Sequence, residues 1–436
     1  MSDYDDMVEE IKGYVAYSKN NTTVQTIQDT IEKDSVTAIV GGSIVTPKGF
    51  KVSGIYSGVK RKRNDLGAIF SEQPANAAAV YTLNKIQAAP LTVTKESIAE
   101  ENKVQAVIVN SGNANACTGK KGLQDAYTMR SLIANHFNIP AHYAVVASTG
   151  IIGLDMPMDK ITAHIEKLQV GNTKAHADDF GESIITTDTF SKSVCLETTI
   201  DGKKVVMGGA AKGSGMIEPN MGTMLAFITT DANIETVHLN SLLKEVINKT
   251  FNCITVDGDT STNDMVLVMA NGLAENNPLT PEHEDWGKFT ELLTKTCESL
   301  AKQIAHDGEG ATKLIEVEVQ GAQSDEDAKK VAKSIVGSSL VKTAIYGADA
   351  NWGRIIAAIG YSGAEVNPET IDTFIGPIQL LQNSEPTVYS EATASKYLEN
   401  DFIKIDVHLN NGTGMGKAWG CDLTYDYVRI NASYRS

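Results

Sequence analysis

The sequence predicts an α/β protein of mixed sheets layered with helices, and three observations carry that prediction. Short stretches such as KVQAVIVN and KLIEVEVQG are either unbroken apolar runs or alternate with period two, as strands do. Elsewhere apolar residues recur at spacings of three and four, as in Phe289, Leu292, Leu293, Cys297, Leu300 and Ile304, the stripe of an amphipathic helix. The two patterns interleave along the chain without a repeating unit. With 436 residues, 42% of them hydrophobic, the chain is long enough for two or three lobes around a sizeable core.

Taken in order, Met1 to Val36 is polar and acidic, with only weak helical spacing through Val8, Ile11, Val15, Ile27 and Ile31, so it reads as an appended, removable extension. The stretch AIVGGSIVTPKGFKVSGIYSGV has β-branched runs broken by Gly and Pro, the pattern of hairpins. KVQAVIVN, from Lys103, reads as a buried strand. In the following GLQDAYTMRSLIANHF, Leu123, Tyr127, Leu132, Ile133 and Phe137 share one helical face. AHYAVVASTGIIG gives another apolar strand ending in small polar and Gly residues. The helix through Phe289 and Ile304 is stopped by Gly308, and KLIEVEVQG follows as an alternating strand. FIKIDVHL and DLTYDYVRINAS read as two further alternating strands joined by a Gly-rich turn.

Composition excludes several functions. A net charge of −16 repels phosphate backbones, and the densest basic run, Lys60, Arg61, Lys62 and Arg63, reads as a solvated face or turn, so nucleic acid is not expected as a partner. No apolar run reaches the ~20 residues of a membrane helix, and the acidic start lacks a secretory n-region, which places the expected protein in the cytoplasm, away from membranes. The five Cys (Cys117, Cys195, Cys253, Cys297, Cys421) are widely spaced without C-x-x-C, and the His show no H-E-x-x-H, so reduced thiols and no metal site are expected.

Several Gly-rich segments imitate nucleotide or calcium loops. Gly412, Gly414, Gly416 and Lys417 precede a strand rather than a helix, and so read as a hairpin turn. At Lys212, Gly213, Ser214 and Gly215 the Lys comes before the glycines, the reverse of a P-loop. DGDTSTND (Asp257 to Asp264) lacks Gly at position six and Glu at position twelve of a calcium loop, which leaves its carboxylates to cap turns.

AKGSGMIEPNMGTMLAFITTD (Ala211 to Asp231) is different. It puts Thr223 directly after Gly222 and at the mouth of an apolar strand, Met224 to Ile228. An N-terminal nucleophile needs that arrangement: the hydroxyl attacks the preceding carbonyl, the chain breaks, and the freed α-amine serves the same residue as base. A Gly-Thr pair is also an ordinary entry into a strand, and spacing alone leaves both readings open.

From about Gly41 to Ser436 the sequence resembles the glutamate N-acetyltransferase/ornithine acetyltransferase family of arginine biosynthesis. The resemblance rests on IVNSGNANACTG, ASTGIIG, TTDT, GGAAKGSGMIEPNMGTML, ITVDGDTSTNDMVLVMANG, DGEGATKLIEV, GADANWGRI and WGCDLTYDYVRINASY, in that order. Two features depart from the family: Gly222 stands where Ala is usual, and the extension 1–36 is extra. The resemblance implies the fold shared with self-processing N-terminal-nucleophile aminopeptidases, with a C-terminal lobe from about Gln323. It implies cleavage between Gly222 and Thr223, giving an α chain (37–222) and a β chain (223–436) that assemble as an α₂β₂ heterotetramer.

Carried over, Thr223 is the nucleophile, and Thr149 with Gly150 forms the oxyanion hole. Thr186, Lys212, Thr223, Glu309, Asn431 and Ser436 contact substrate. The α-amine of Thr223, with a reference pKa of about 8, is a usable base where a Lys of about 10 is not. The implied reaction takes acetyl from N2-acetyl-L-ornithine, releases ornithine, and passes acetyl to L-glutamate. It needs no cofactor, because acetyl moves between amides of similar energy. Whether acetyl-CoA also donates, making the enzyme bifunctional, stays open. The rivals are an amidohydrolase or aminopeptidase of the same nucleophile type with water as acceptor, and a non-catalytic assembly protein with a silent Thr223.

Overall fold

A computed structural model describes residues 35–218 and 224–433, which form two units. The extension, apart from Ser35 and Val36, lies outside the described residues.

The first unit, 35–252 with 259–304, is built on a nine-stranded sheet. Its strands are β1 (Thr37–Ala38), β2 (Phe50–Ile55), β3 (Leu66–Tyr81), β4 (Lys103–Asn113), β5 (Ala144–Ile151), β6 (Lys192–Ile200), β7 (Lys203–Lys212), β8 (Leu225–Thr230) and β9 (Met265–Ala270). They lie in the order β1-β6-β7-β8-β9-β3-β4-β5, with β2 beside β3. The sheet is mixed as expected: β4 and β5 run parallel, as do β8 and β9, and the other neighbours are antiparallel. Only part of the hairpin reading holds, since β2 turns back on β3 whereas β1 pairs with the distant β6.

Helices cover the sheet: α1 (Ala89–Glu101), α2 (Gly119–Phe137), α3 (Met158–Ile165), α4 (Lys174–Ile184), α5 (Thr236–Lys249) and α6 (Trp286–His306). Strand β4 carries an unbroken apolar run, Ala106 to Val109, because both its faces are buried. Val107 and Val109 join a cluster with Phe180 and Ile184 of α4, while Ala106 and Ile108 join one with Met129 and Ile133 of α2. In α2 the fully buried stripe is Gly122, Ala126, Met129, Ile133 and Ala134. The larger Leu123, Tyr127, Leu132 and Phe137 flank it half-buried, because the small residues allow the close approach. The stripe of α6 is as the spacing predicts, all six residues being fully buried.

The second unit, 253–258 with 305–433, carries a six-stranded sheet. Its strands are β10 (Leu314–Ala322), β11 (Asp372–Ile375), β12 (Ile378–Gln382), β13 (Glu385–Pro386), β14 (Phe402–His408) and β15 (Gly414–Cys421), ordered β13-β12-β11-β14-β10-β15. Its helices are α7 (Asp325–Gly337), α8 (Ser339–Tyr346), α9 (Trp352–Gly360), α10 (Glu391–Tyr397) and α11 (Tyr425–Ala432). Ile315, Val317 and Val319 of β10 point into the core with Val331 and Ile335 of α7, as the alternation in KLIEVEVQG predicts. Ser324 caps α7 through its side chain, and Asp325, Glu326 and Asp327 complement the helix dipole.

The C-terminal reading needs correction. DLTYDYVRINAS is not a strand: Thr424 accepts the Asp426 N–H as an N-cap, and α11 follows. Its period-two apolar residues misled because they do not report burial, Tyr425 and Val428 being exposed. The strand beside β10 is instead the Gly-rich GMGKAWGC, with Gly412 in the turn but Gly414 and Gly416 in β15. A Cβ on Gly414 would lie 2.2 Å from the Ser324 carbonyl carbon, and one on Gly416 2.6 Å from the Lys329 nitrogen, so these glycines let α7 lie directly on the strand. No helix among the described residues is long and apolar enough to cross a membrane.

Candidate active site

In the first unit, the ends of β4 and β5 build one corner. Their parallel register slips at Gly112 and Asn113, so Asn113 faces both Thr149 and Ile151. Thr149 is buried, and Gly150 has φ +132°. A Cβ on Gly150 would meet the Gly112 carbonyl carbon at 2.3 Å, so only glycine fits there. A buried amide network fixes the corner. Asn263 donates to the carbonyls of Ser148 (2.8 Å) and Ala114 (2.6 Å). Ser148 Oγ donates to Asn110 Oδ1 at 2.6 Å, and Asn110 Nδ2 to the Asn113 carbonyl at 2.9 Å. A Thr hydroxyl and a Gly N–H held rigidly at a strand end are the parts an oxyanion hole requires.

A second group gathers around Asp188, whose buried carboxylate receives four donors or charges. Oδ1 accepts from Lys192 Nζ at 2.6 Å and from the Gly213 N–H at 2.7 Å. Oδ2 accepts the Thr186 N–H at 2.9 Å and stands 4.0 Å from Lys212 Nζ. Burial opposes the charged carboxylate, but Lys192, Lys212 and the amide donors win, holding Asp188 well below the usual carboxylate range. Two lysines thus face one buried carboxylate. Lys212 stands beyond hydrogen-bond reach of Asp188 but within ion-pair distance. Beside it, Ser214 Oγ is buried with no hydrogen-bond partner among the described residues.

Gly222 and Thr223 lie outside the described residues, but both sides of them are fixed. Lys212 pairs in register with Leu225, two residues beyond Thr223. The Met224 N–H donates to Asp264 Oδ1 at 2.6 Å. Thr186 and Lys212 are therefore brought together on Asp188, with Lys212 paired to Leu225 at the start of β8.

In the second unit Glu309 is buried, and exposed Asn431 donates Nδ2 to its Oε2 at 2.7 Å, so the structure brings these two expected residues together. The loop after Glu309 is tied down by Asp422, which accepts the N–H groups of Thr312 (2.7 Å) and Lys313 (3.0 Å), and by Thr424 Oγ1, which donates to the Gly310 carbonyl at 2.6 Å. Ser436 lies outside the described residues.

Sequence reasoning gives Asp188, Asn110 and Asn263 no role and assigns Asp264 to turn capping. The available signal was polar residues embedded in buried apolar runs, as in VIVNSGN and TSTNDMVLV. Asp264, far from capping a turn, holds the strand entry at Met224. Among the described residues, Asp201, His283 and Asp285 are the group with metal-ligand spacing. There His283 Nδ1 accepts the Asp285 N–H at 3.0 Å and Nε2 faces Asp201 at 3.3 Å, so both ring nitrogens are engaged within the protein.

The chain is similar to known proteins over most of its length. The profile of the ArgJ family matches residues 51–436. The arginine biosynthesis bifunctional protein ArgJ of Halalkalibacterium halodurans is 64% identical over 406 residues, 93% of this chain and 99% of that protein. The protein of the same name from Geobacillus kaustophilus is 62% identical over 401 residues, 92% of this chain and 98% of its own length. A crystal structure of arginine biosynthesis bifunctional protein ArgJ from Bacillus halodurans is 69% identical, covers 49% of this chain and 100% of its own, and superposes with a TM-score of 0.48.

Proposed function

Because this chain belongs to the ArgJ family, we propose that it is an acetyltransferase of arginine biosynthesis that moves the acetyl group of N2-acetyl-L-ornithine to L-glutamate through Thr223. The observation that supports the residue assignment is the meeting of Thr186 and Lys212 at one buried carboxylate, Asp188, with Lys212 paired to Leu225, two residues after Thr223.

The chain is first cut between Gly222 and Thr223 by attack of the Thr223 hydroxyl on the Gly222 carbonyl, which frees the α-amine. In the mature enzyme that amine takes the hydroxyl proton as Oγ attacks the acetyl carbonyl of N-acetylornithine. The oxyanion is stabilised by the Thr149 hydroxyl and the Gly150 N–H, each such donor contributing about 3 kcal/mol. Collapse breaks the amide bond, the α-amine returns its proton to the leaving nitrogen, and ornithine departs. The α-amine of glutamate then attacks the acetyl ester, giving N-acetylglutamate and free Thr223. Lys212 pairs with the α-carboxylate of either amino acid, while Thr186, Asn431 and Ser436 complete its hydrogen bonds. Glu309 pairs with the δ-ammonium of ornithine.

The cut halves stay together as an α₂β₂ assembly working in the cytoplasm, with no nucleic-acid or membrane partner. Acetyl-CoA serves as a second donor for glutamate, in keeping with a bifunctional enzyme. The test is acetyl transfer to glutamate measured with N-acetylornithine and acetyl-CoA separately. Glutamate-dependent ornithine release supports the transferase, and release at the same rate without glutamate refutes it in favour of a hydrolase.

A further inference from the structure

Three of the four residues in the basic run behave as a solvated turn, Arg61, Lys62 and Arg63 being exposed, but Lys60 is half-buried. Its loop is gathered by the fully buried Asp65, which accepts the N–H groups of Ser57 (2.7 Å), Gly58 (3.1 Å) and Lys60 (2.9 Å) and the Ser57 hydroxyl (2.6 Å). So held, Lys60 reaches both parts of the site in the first unit. Its stem lies over Gly112, where an added Cβ would come within 2.8 Å of Lys60 Cγ, and Gly112 is the register partner of Gly150. Its Nζ donates to the carbonyls of Ile185 (3.1 Å), the residue before Thr186, and Glu182 (3.4 Å).

Among the described residues no carboxylate lies within 4.0 Å of this Nζ, so its partners are neutral and one of its three N–H groups is left over. Burial accordingly pushes its pKa down to about 8, with Asp65 and Glu182 compensating only in part. Such an ammonium is stabilised by an anion that arrives with substrate. The two amino acids in the reaction differ here: ornithine brings one carboxylate, glutamate two. Lys212 takes the α-carboxylate of either, which leaves the second carboxylate of glutamate to find a cation of its own.

We propose that Lys60 binds the side-chain carboxylate of the acceptor and so selects glutamate, an assignment that rests on the transferase reading above.

The test compares glutamate with glutamine as acceptors for acetyl from N-acetylornithine, in the wild type, Lys60→Met and Lys60→Arg. Wild-type kcat/KM should favour glutamate by about 100-fold, as expected for a partly desolvated charge pair. In Lys60→Met the preference should collapse to within a few-fold of unity through a raised KM for glutamate, with ornithine release in the acylation step reduced far less. Lys60→Arg should keep most of the preference. A wild type indifferent to the acceptor's charge, or a Lys60→Met enzyme that keeps the preference, overturns the assignment. If Lys60→Met yields no folded enzyme, the wild-type acceptor series and Lys60→Arg still decide, because indifference in the wild type is fatal. A wild type that transfers no acetyl from N-acetylornithine to glutamate refutes the underlying reading; transfer without charge selectivity refutes only the role of Lys60.

Discussion

Met224, the first described residue after the proposed nucleophile, gives its backbone N–H to the Asp264 carboxylate at 2.6 Å. That bond fixes where the chain enters β8, one residue after the proposed nucleophile. Asp264→Ala should slow maturation at least about 10-fold, the cost of a mispositioned near-attack geometry. The check is the time course of the intact 46.7 kDa chain on a denaturing gel. Cleavage at the wild-type rate would show that Asp264 does not position the junction.

Thr149→Ala should lower kcat by roughly 100-fold with little change in KM, as for loss of a donor that acts in the transition state. Loss of stability with near-normal turnover of the folded fraction would assign Thr149 to structure alone. Gly150→Ala should be far worse for folding, because its Cβ has no room beside Gly112.

Asp188→Asn leaves two buried ammonium groups without their carboxylate and should cost about 3–5 kcal/mol of stability, read from denaturant titration. Its pH dependence follows from the depressed carboxyl. Stability from Asp188 is fully present above the unfolded pKa of about 4 and is lost as pH falls below it toward the lower folded pKa. The acid slope of wild-type stability should thus be shallower in the variant, and an unchanged slope would remove Asp188 from that role.

Glu309→Gln keeps the shape that Asn431 contacts but removes the charge offered to a δ-ammonium. Use of N-acetylornithine should fall by about 2–4 kcal/mol if the pair is desolvated. Acetyl-CoA, which brings no ammonium, should be affected less, as should an acetylated donor lacking the δ-amine. Equal losses would indicate that Glu309 supports the fold or the nucleophile.

What was legible in the sequence was local. The stripe of α6 and the alternation of β10 each lie within one short window of chain, as does each motif proposed for the site. What was not legible depends on pairing across distance. Asp264 acts on a residue 40 positions away, Asn263 on carbonyls 115 and 149 positions away, and no spacing rule reports such bonds. The C-terminal error has the same origin. Gly414 and Gly416 look like a turn until α7 is seen lying against them, and the alternation around Tyr425 loses its meaning once those side chains are exposed. Charge alone does not distinguish Lys60, drawn inward by carbonyls, from its exposed neighbours.

The mechanism at Thr223 is tested most directly by the mass and fragment map of purified enzyme incubated with N-acetylornithine in the absence of glutamate. The expected result is a separate chain beginning at Thr223 that carries one added acetyl group on its N-terminal peptide, with ornithine released in equal amount and the acetyl lost on adding glutamate. An active chain left uncut between Gly222 and Thr223, or acetyl found on any other residue, would contradict it.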